Sequence, residues 1–146
     1  MKFKPGQILL ELVLALGISL IALMAIVQVT TKSITTAGFS KNKTEATTYA
    51  VAGMEWLRQQ KRVLGWPAFA GKSPNTYCLK DLPELWPGAG DCSADDFIPG
   101  TMYQRKVDLT TNVGQVQAVV TVTWQEAIGK TVNTFTSKQT SLFTRY

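Results

Sequence analysis

Glu11 is the one charged residue in the 20-residue apolar stretch 8–27, and Pro5 and Gly6 stand directly upstream, after Lys2 and Lys4. A carboxylate inside an apolar helix costs a few kcal/mol at mid-bilayer (~3) and is usually retained for a function. The plainer reading is an acid that snorkels to the membrane surface, or one favoured by the positive end of a helix. The other reactive pair is Cys78 and Cys92, the only cysteines in the chain. In an oxidising compartment they would join and close a loop of about 15 residues, worth on the order of 3 kcal/mol. Two free thiols, or a two-cysteine metal site, are the alternatives.

The remaining chemistry is sparse. The chain has no histidine, which excludes Ser-His-acid and Cys-His nucleophiles and histidine metal sites. Asp91, Asp95 and Asp96 offer three carboxylates beside Cys92 that could ligate calcium. Their spacing is not that of an EF-hand, and a solvated acidic turn fits better. Gly88-Ala89-Gly90 neither follows a strand nor opens a helix, so it is not a phosphate loop. No catalytic residue, metal or cofactor is expected, and an enzyme is the least favoured class. The net charge is +5, or +3 without Lys2 and Lys4. It is too scattered for a nucleic-acid footprint, and a DNA-binding role for Lys72, Lys80, Arg105 and Lys106 is a minor reading.

Several elements must position these residues. A helix over the 8–27 stretch reaches ~30 Å, the hydrocarbon thickness of a bilayer, so one membrane pass is expected. The stretch is too long for the core of a secretory signal, and the best downstream cleavage candidate, Thr35-Thr36-Ala37, comes after Lys32. Lys2 and Lys4 flank its start, which keeps the short N-terminal side cytoplasmic and the rest outside. Pro5 disfavours helix at Lys4 and Gly6 has no side chain, so an extended leader joined to a helix beginning near Gln7 is expected.

The order of these residues, a basic Met1-Lys2-Phe3-Lys4 leader, Pro5-Gly6, Gln7-Ile8-Leu9-Leu10-Glu11 and a continuous apolar helix, resembles the N-terminus of type IV pilins and of the pseudopilins of type II secretion systems. The resemblance implies cleavage by a membrane-embedded prepilin peptidase between Gly6 and Gln7, modification of the new Gln7 terminus by methylation, and an assembly role for Glu11. It implies other pilin or pseudopilin subunits, the peptidase, the inner membrane and an assembly platform as partners, and residence in the inner membrane and then in a pilus or pseudopilus. Gln7 departs from the usual Phe or Met and can cyclise instead of being methylated. Leu9 replaces a frequent Thr, and no proline lies between Pro5 and Pro67, which points toward a pseudopilin or minor pilin. The rival reading is an uncleaved single-pass anchor displaying a small extracytoplasmic binding domain.

Beyond the membrane the helical pattern persists. Ala46, Ala50, Gly53, Met54, Leu57 and Leu64 recur at three- and four-residue steps, and Glu55 and Arg58 are spaced to pair. Gly65 supplies a stop, with Trp66-Pro67 beyond it. The Thr-rich stretch 29–40 with Gly38 has low helix propensity, so a bend or break is expected there. Five of the six prolines fall in 67–100, which reads as irregular loop. Strand patterns follow at 103–109, 115–124 and 131–143, joined by 110–114 and by a turn containing Gly129 and Lys130. The expected fold is α+β and pilin-like. A leader 1–6 precedes a long helix 7–64, whose part 7–29 is transmembrane or filament core. An extracytoplasmic head 65–146 follows, with a loop region 65–101 and an antiparallel sheet 102–146 covered by the helix stripe.

Overall fold

A computed structural model describes residues 5–128 and 131–145. The leader residues before Pro5 and the expected turn residues Gly129 and Lys130 lie outside the described residues. The architecture is α+β, with one N-terminal helix and a four-stranded antiparallel sheet of order β1-β2-β3-β4.

Helix α1, Pro5–Ala70, begins two residues before the expected start. Proline suits a first helical turn, because its φ is already helical and its missing N–H would have no partner there. Helical dihedrals also run through Gly38, so of the two arrangements expected there, one bent helix or two in line, the chain keeps a single helix. The threonine hydroxyls of this stretch are satisfied within the helix. Thr30 and Thr31 donate to Ile26 O and Val27 O at 2.9 Å, Thr35 to Thr31 O at 3.0 Å, and Thr36 to Lys32 O at 2.9 Å. Each bond ties a side chain to the carbonyl one turn back, so the polar groups need no other geometry.

The expected stop at Gly65 is a real interruption, with φ 73° and ψ 164°. The chain then resumes as helix to Ala70 instead of entering a loop at Pro67. Gly65 resets the direction and Pro67 falls in the first turn of the new segment, where it is tolerated. That turn buries Phe69 completely.

The chain divides after Lys41 into two compact units. In the second, β2 (Gln104–Asn112) and β3 (Gln115–Ile128) pair from Gln104↔Thr123 to Asn112↔Gln115. β4 (Thr131–Thr144) pairs along β3 from Gln115↔Thr144 to Ile128↔Thr131. The β2–β3 connection is Val113-Gly114 alone, shorter than the expected 110–114. The β-branched Thr110 and Thr111 continue the ladder, and Gly114 at φ 70° supplies the reversal.

β1 (Asn75–Cys78) pairs with β2 and was not expected, because the prolines around it read as loop. Four residues hold a strand there because three things fix them. Thr76 Oγ1 donates to Asp108 Oδ1 at 2.7 Å, the Tyr77 hydroxyl donates to Lys72 O at 2.7 Å, and Cys78 is bonded to Cys92. The Gly88-Ala89-Gly90 segment extends the ladder on the other side, with a Tyr77↔Ala89 bridge and Gly90 N donating to Thr76 O at 2.8 Å.

The core lies between the sheet and the second half of α1. Val116, Ala118, Val120, Val122 and Trp124 are buried as the alternation requires, facing Ala46, Ala50, Gly53, Met54 and Leu57. Leu64 is only half-buried, whereas Trp56 and Gln60 are buried as well. The reason is the segment after β1, which covers the helix flank. Trp56 Nε1 donates to Pro83 O at 2.7 Å and Gln60 Nε2 to Glu84 O at 3.1 Å. Trp86 then sits against Trp56, Tyr77 and Phe69 at ring-centre distances of 5.1, 5.3 and 5.8 Å.

Candidate functional site

Two regions carry the residues singled out in the sequence. In the first, residues 8–38 of α1 are exposed throughout, and the helix is long and apolar enough to cross a membrane. A 20-residue apolar surface of this kind is stable only against lipid or other apolar helices. Its few polar groups are treated differently. Ser19 Oγ donates to Ala15 O at 2.7 Å, which satisfies the hydroxyl within the helix. Glu11 is exposed and has no hydrogen-bond or ionic partner among the described residues.

Gly6 and Gln7 lie in the first two turns of the same helix. Residues four apart share a helix face about 6 Å apart, so the backbone places position 7 one turn from Glu11. An ammonium group at position 7 would fall within reach of that carboxylate.

The second region is the head formed by residues 42–146. The disulfide joins Cys78 to Cys92 with a Cα separation of 4.9 Å, which ties the end of β1 to the loop before β2. The acidic residues beside it do not converge. Asp91 pairs with Lys106 Nζ at 3.1 Å, while Asp96 Oδ2 accepts from Ser93 N at 2.8 Å and Ser93 Oγ at 2.7 Å. Those bonds hold the Asp96 carboxyl below the usual range. Among the described residues no three metal-ligating side chains come together. The loop itself is fixed over β2, with Gln104 Nε2 donating to Ser93 O at 2.8 Å and Ala94 O at 3.1 Å.

Of the basic residues named for a DNA contact, Arg105 is not at the surface, being only 3 % exposed. Its Nε donates to Leu79 O and its Nη1 to Tyr49 O, both at 3.2 Å. Burial pulls its pKa down to about 10, which leaves it charged at neutral pH. Lys106 is engaged by Asp91, and Lys72 lies 5.7 Å from the centre of the Trp86 ring. Arg105 therefore serves the core: it pins α1, the segment after β1 and β2 to one another.

A second polar junction was not legible in the sequence. The Tyr103 hydroxyl donates to Asn42 O and Glu45 Oε2, both at 3.1 Å. Asn42 Nδ2 and Trp124 Nε1 donate to Glu126 Oε1 at 2.7 and 2.8 Å. Partners 84 residues apart, as Asn42 and Glu126 are, leave no local pattern. Burial first, and then the Glu45 bond and charge, push the Tyr103 pKa up to about 12.

Comparisons with protein-family models, with curated proteins and with solved structures return no match to this chain.

Proposed function

We propose that this chain is a structural subunit of a type IV pilus-like or type II secretion pseudopilus filament. It is cut by a prepilin peptidase after Gly6, held in the inner membrane with its head outside the cytoplasm, and packed into the filament through its apolar helix. The observation that carries the reading is the placement of Glu11 one turn from position 7, at the head of a helix exposed from 8 to 38. Cleavage after Gly6 would free an amine at Gln7, and Glu11 of a neighbouring subunit would neutralise it inside an apolar bundle, where either charge alone is costly. The disulfide-stapled, sheet-backed head supports the reading as a small domain suited to life outside the cytoplasm.

One observation favours the second reading, an uncleaved anchor displaying a binding domain: Pro5 and Gly6 already belong to the first helical turn, whereas a peptidase needs an extended strip. Mass spectrometry of the protein from prepilin-peptidase-positive cells separates the two. A Gln7 terminus is expected for the subunit, and an intact Met1 terminus would establish the anchor. Glu11→Ala should insert normally yet fail to enter sheared filaments; normal incorporation would refute its assembly role.

A further inference from the structure

We propose that the head carries a basic groove which receives the acidic loop of a second copy of this chain, making a head-to-tail contact between neighbouring heads. The groove, of about 340 Å³, lies between Arg58, Lys61 and Arg62 of α1 and the last residues of β4, with Leu142 and Phe143 among its lining. Its charge is only partly used within the chain. Arg58 pairs with Glu55 on its own helix, and Lys61 lies 5.7 Å from the Trp66 ring centre. Arg62 is exposed and makes no ion pair among the described residues.

The complementary charge is on the same molecule but out of reach. Asp95 is exposed and has no ion pair among the described residues, beside Asp91 and Asp96 in a loop pinned over β2 at Gln104 and Lys106. Phe143 in the groove is opposite Val116 of β3, whereas Gln104 under the loop is opposite Thr123. Those positions are seven strand residues apart, or roughly 20 Å. The groove also borders β4, at the opposite edge of the sheet from β1 and its disulfide-linked loop. Separations beyond the Debye length of ~8 Å are screened within one copy. Between two copies the surfaces can meet directly.

Because groove and loop are different surfaces, the contact is heterologous: each copy offers one to the next and keeps the other open. Such contacts propagate into helical arrays unless the rotation closes. The preformed geometry suits it, since the Ser93–Asp96 bonds and the disulfide hold the loop rigid and limit the ordering cost of docking.

This contact rests on the filament reading, and the test keeps the two apart. Full-length chains carrying Arg62→Cys and Asp95→Cys are co-expressed under separate tags and oxidised in membranes. A cross-link joining the position-62 and position-95 peptides, found by mass spectrometry only in the mixture, is expected; its absence, or dimers from either variant alone, overturns the contact. In parallel, Arg62→Asp and Asp95→Arg should each lower self-association by roughly two- to fivefold, the range of an exposed ion pair, and together restore it. Failure of the double variant to recover, or a groove that loses only phosphate or anionic-vesicle binding when reversed, overturns it too. The same samples are read for the Gln7 terminus and for filaments by electron microscopy. Filaments without the cross-link refute the contact alone, and the cross-link without leader loss or filaments refutes the filament reading alone.

Discussion

Gly53 lies directly over Arg105: a Cβ at position 53 would come to 3.0 Å from Arg105 Cδ and from Val120 Cγ1. The close approach lets the helix backbone at Tyr49 meet the Arg105 guanidinium, which is also held by Leu79 O. Alanine at 53 would gain about 1 kcal/mol of helix propensity but push against a guanidinium fixed at two points and a β-branched valine. We expect Gly53→Ala to lower the stability of the full chain in detergent by about 1 kcal/mol, and Gly53→Leu by ~3 kcal/mol. Thermal unfolding followed by circular dichroism measures both. An unchanged melting temperature for Gly53→Leu would show that the helix does not seat on Arg105.

Tyr103 makes the head sensitive to alkali. Its hydroxyl pKa is raised to about 12 from an ordinary 10, so the folded state holds a proton that the unfolded chain has released. The stability it contributes is fully present below pH ~10 and is lost as pH rises toward ~12. Arg105 works against this trend. Burial lowers its folded pKa to about 10, below the ordinary guanidinium range, so the penalty of burying its charge is relieved as pH rises above ~10. Tyr103→Phe should cost ~1–2 kcal/mol at pH 7, through the lost bonds to Asn42 and Glu45, and should flatten the loss between pH 10 and 12. Urea midpoints at stepped pH test this, and an unaltered slope in the variant would refute it.

The disulfide should stabilise the head most through β1. Four residues cannot sustain a strand alone, and the bridge joins the end of β1 to a loop fixed at Gln104. Replacing Cys78 and Cys92 together by serine should cost on the order of 3 kcal/mol. Hydrogen exchange should rise first at Leu79 and Gly90, whose amides donate to Arg105 O and Thr76 O. Uniform exchange across all four strands would argue against a local role for the bridge.

What the sequence revealed follows the range of the interactions involved. The alternation of residues 116–124 and the stripe from Ala46 to Leu57 are local periodicities imposed by burial on one face, and both appear in the fold. The single disulfide pairing needed no long-range knowledge, because only two cysteines exist. β1 escaped notice because its stability comes from β2 and the bridge, not from its own four residues. Arg105 was read as a surface cation because charge is visible in a sequence while the carbonyls of Leu79 and Tyr49 that solvate it are not. At Gly38 the sequence leaves a bent helix and two helices in line both open, because propensity counts threonine and glycine against helix. The chain forms one helix, in which the threonine hydroxyls bond to carbonyls one turn back.

Two glycines of α1 should respond oppositely to the same substitution. Gly38 has helical dihedrals and open space where a Cβ would stand, so it contributes only backbone freedom to the unfolded chain. Gly38→Ala should therefore stabilise the helix by ~1 kcal/mol. Gly65 also has open space, but its φ of 73° lies in the region that side chains disfavour. Gly65→Ala should cost ~1–2 kcal/mol, and any relief through regular helical dihedrals would misdirect the following turn and pull Phe69 away from Phe143, whose ring centre is 5.1 Å distant. Melting temperatures of the two variants in one detergent provide the comparison. A rise for Gly38→Ala with a fall for Gly65→Ala is expected, and a rise for both would mean that the interruption at Gly65 is not needed to seat Phe69 in the core.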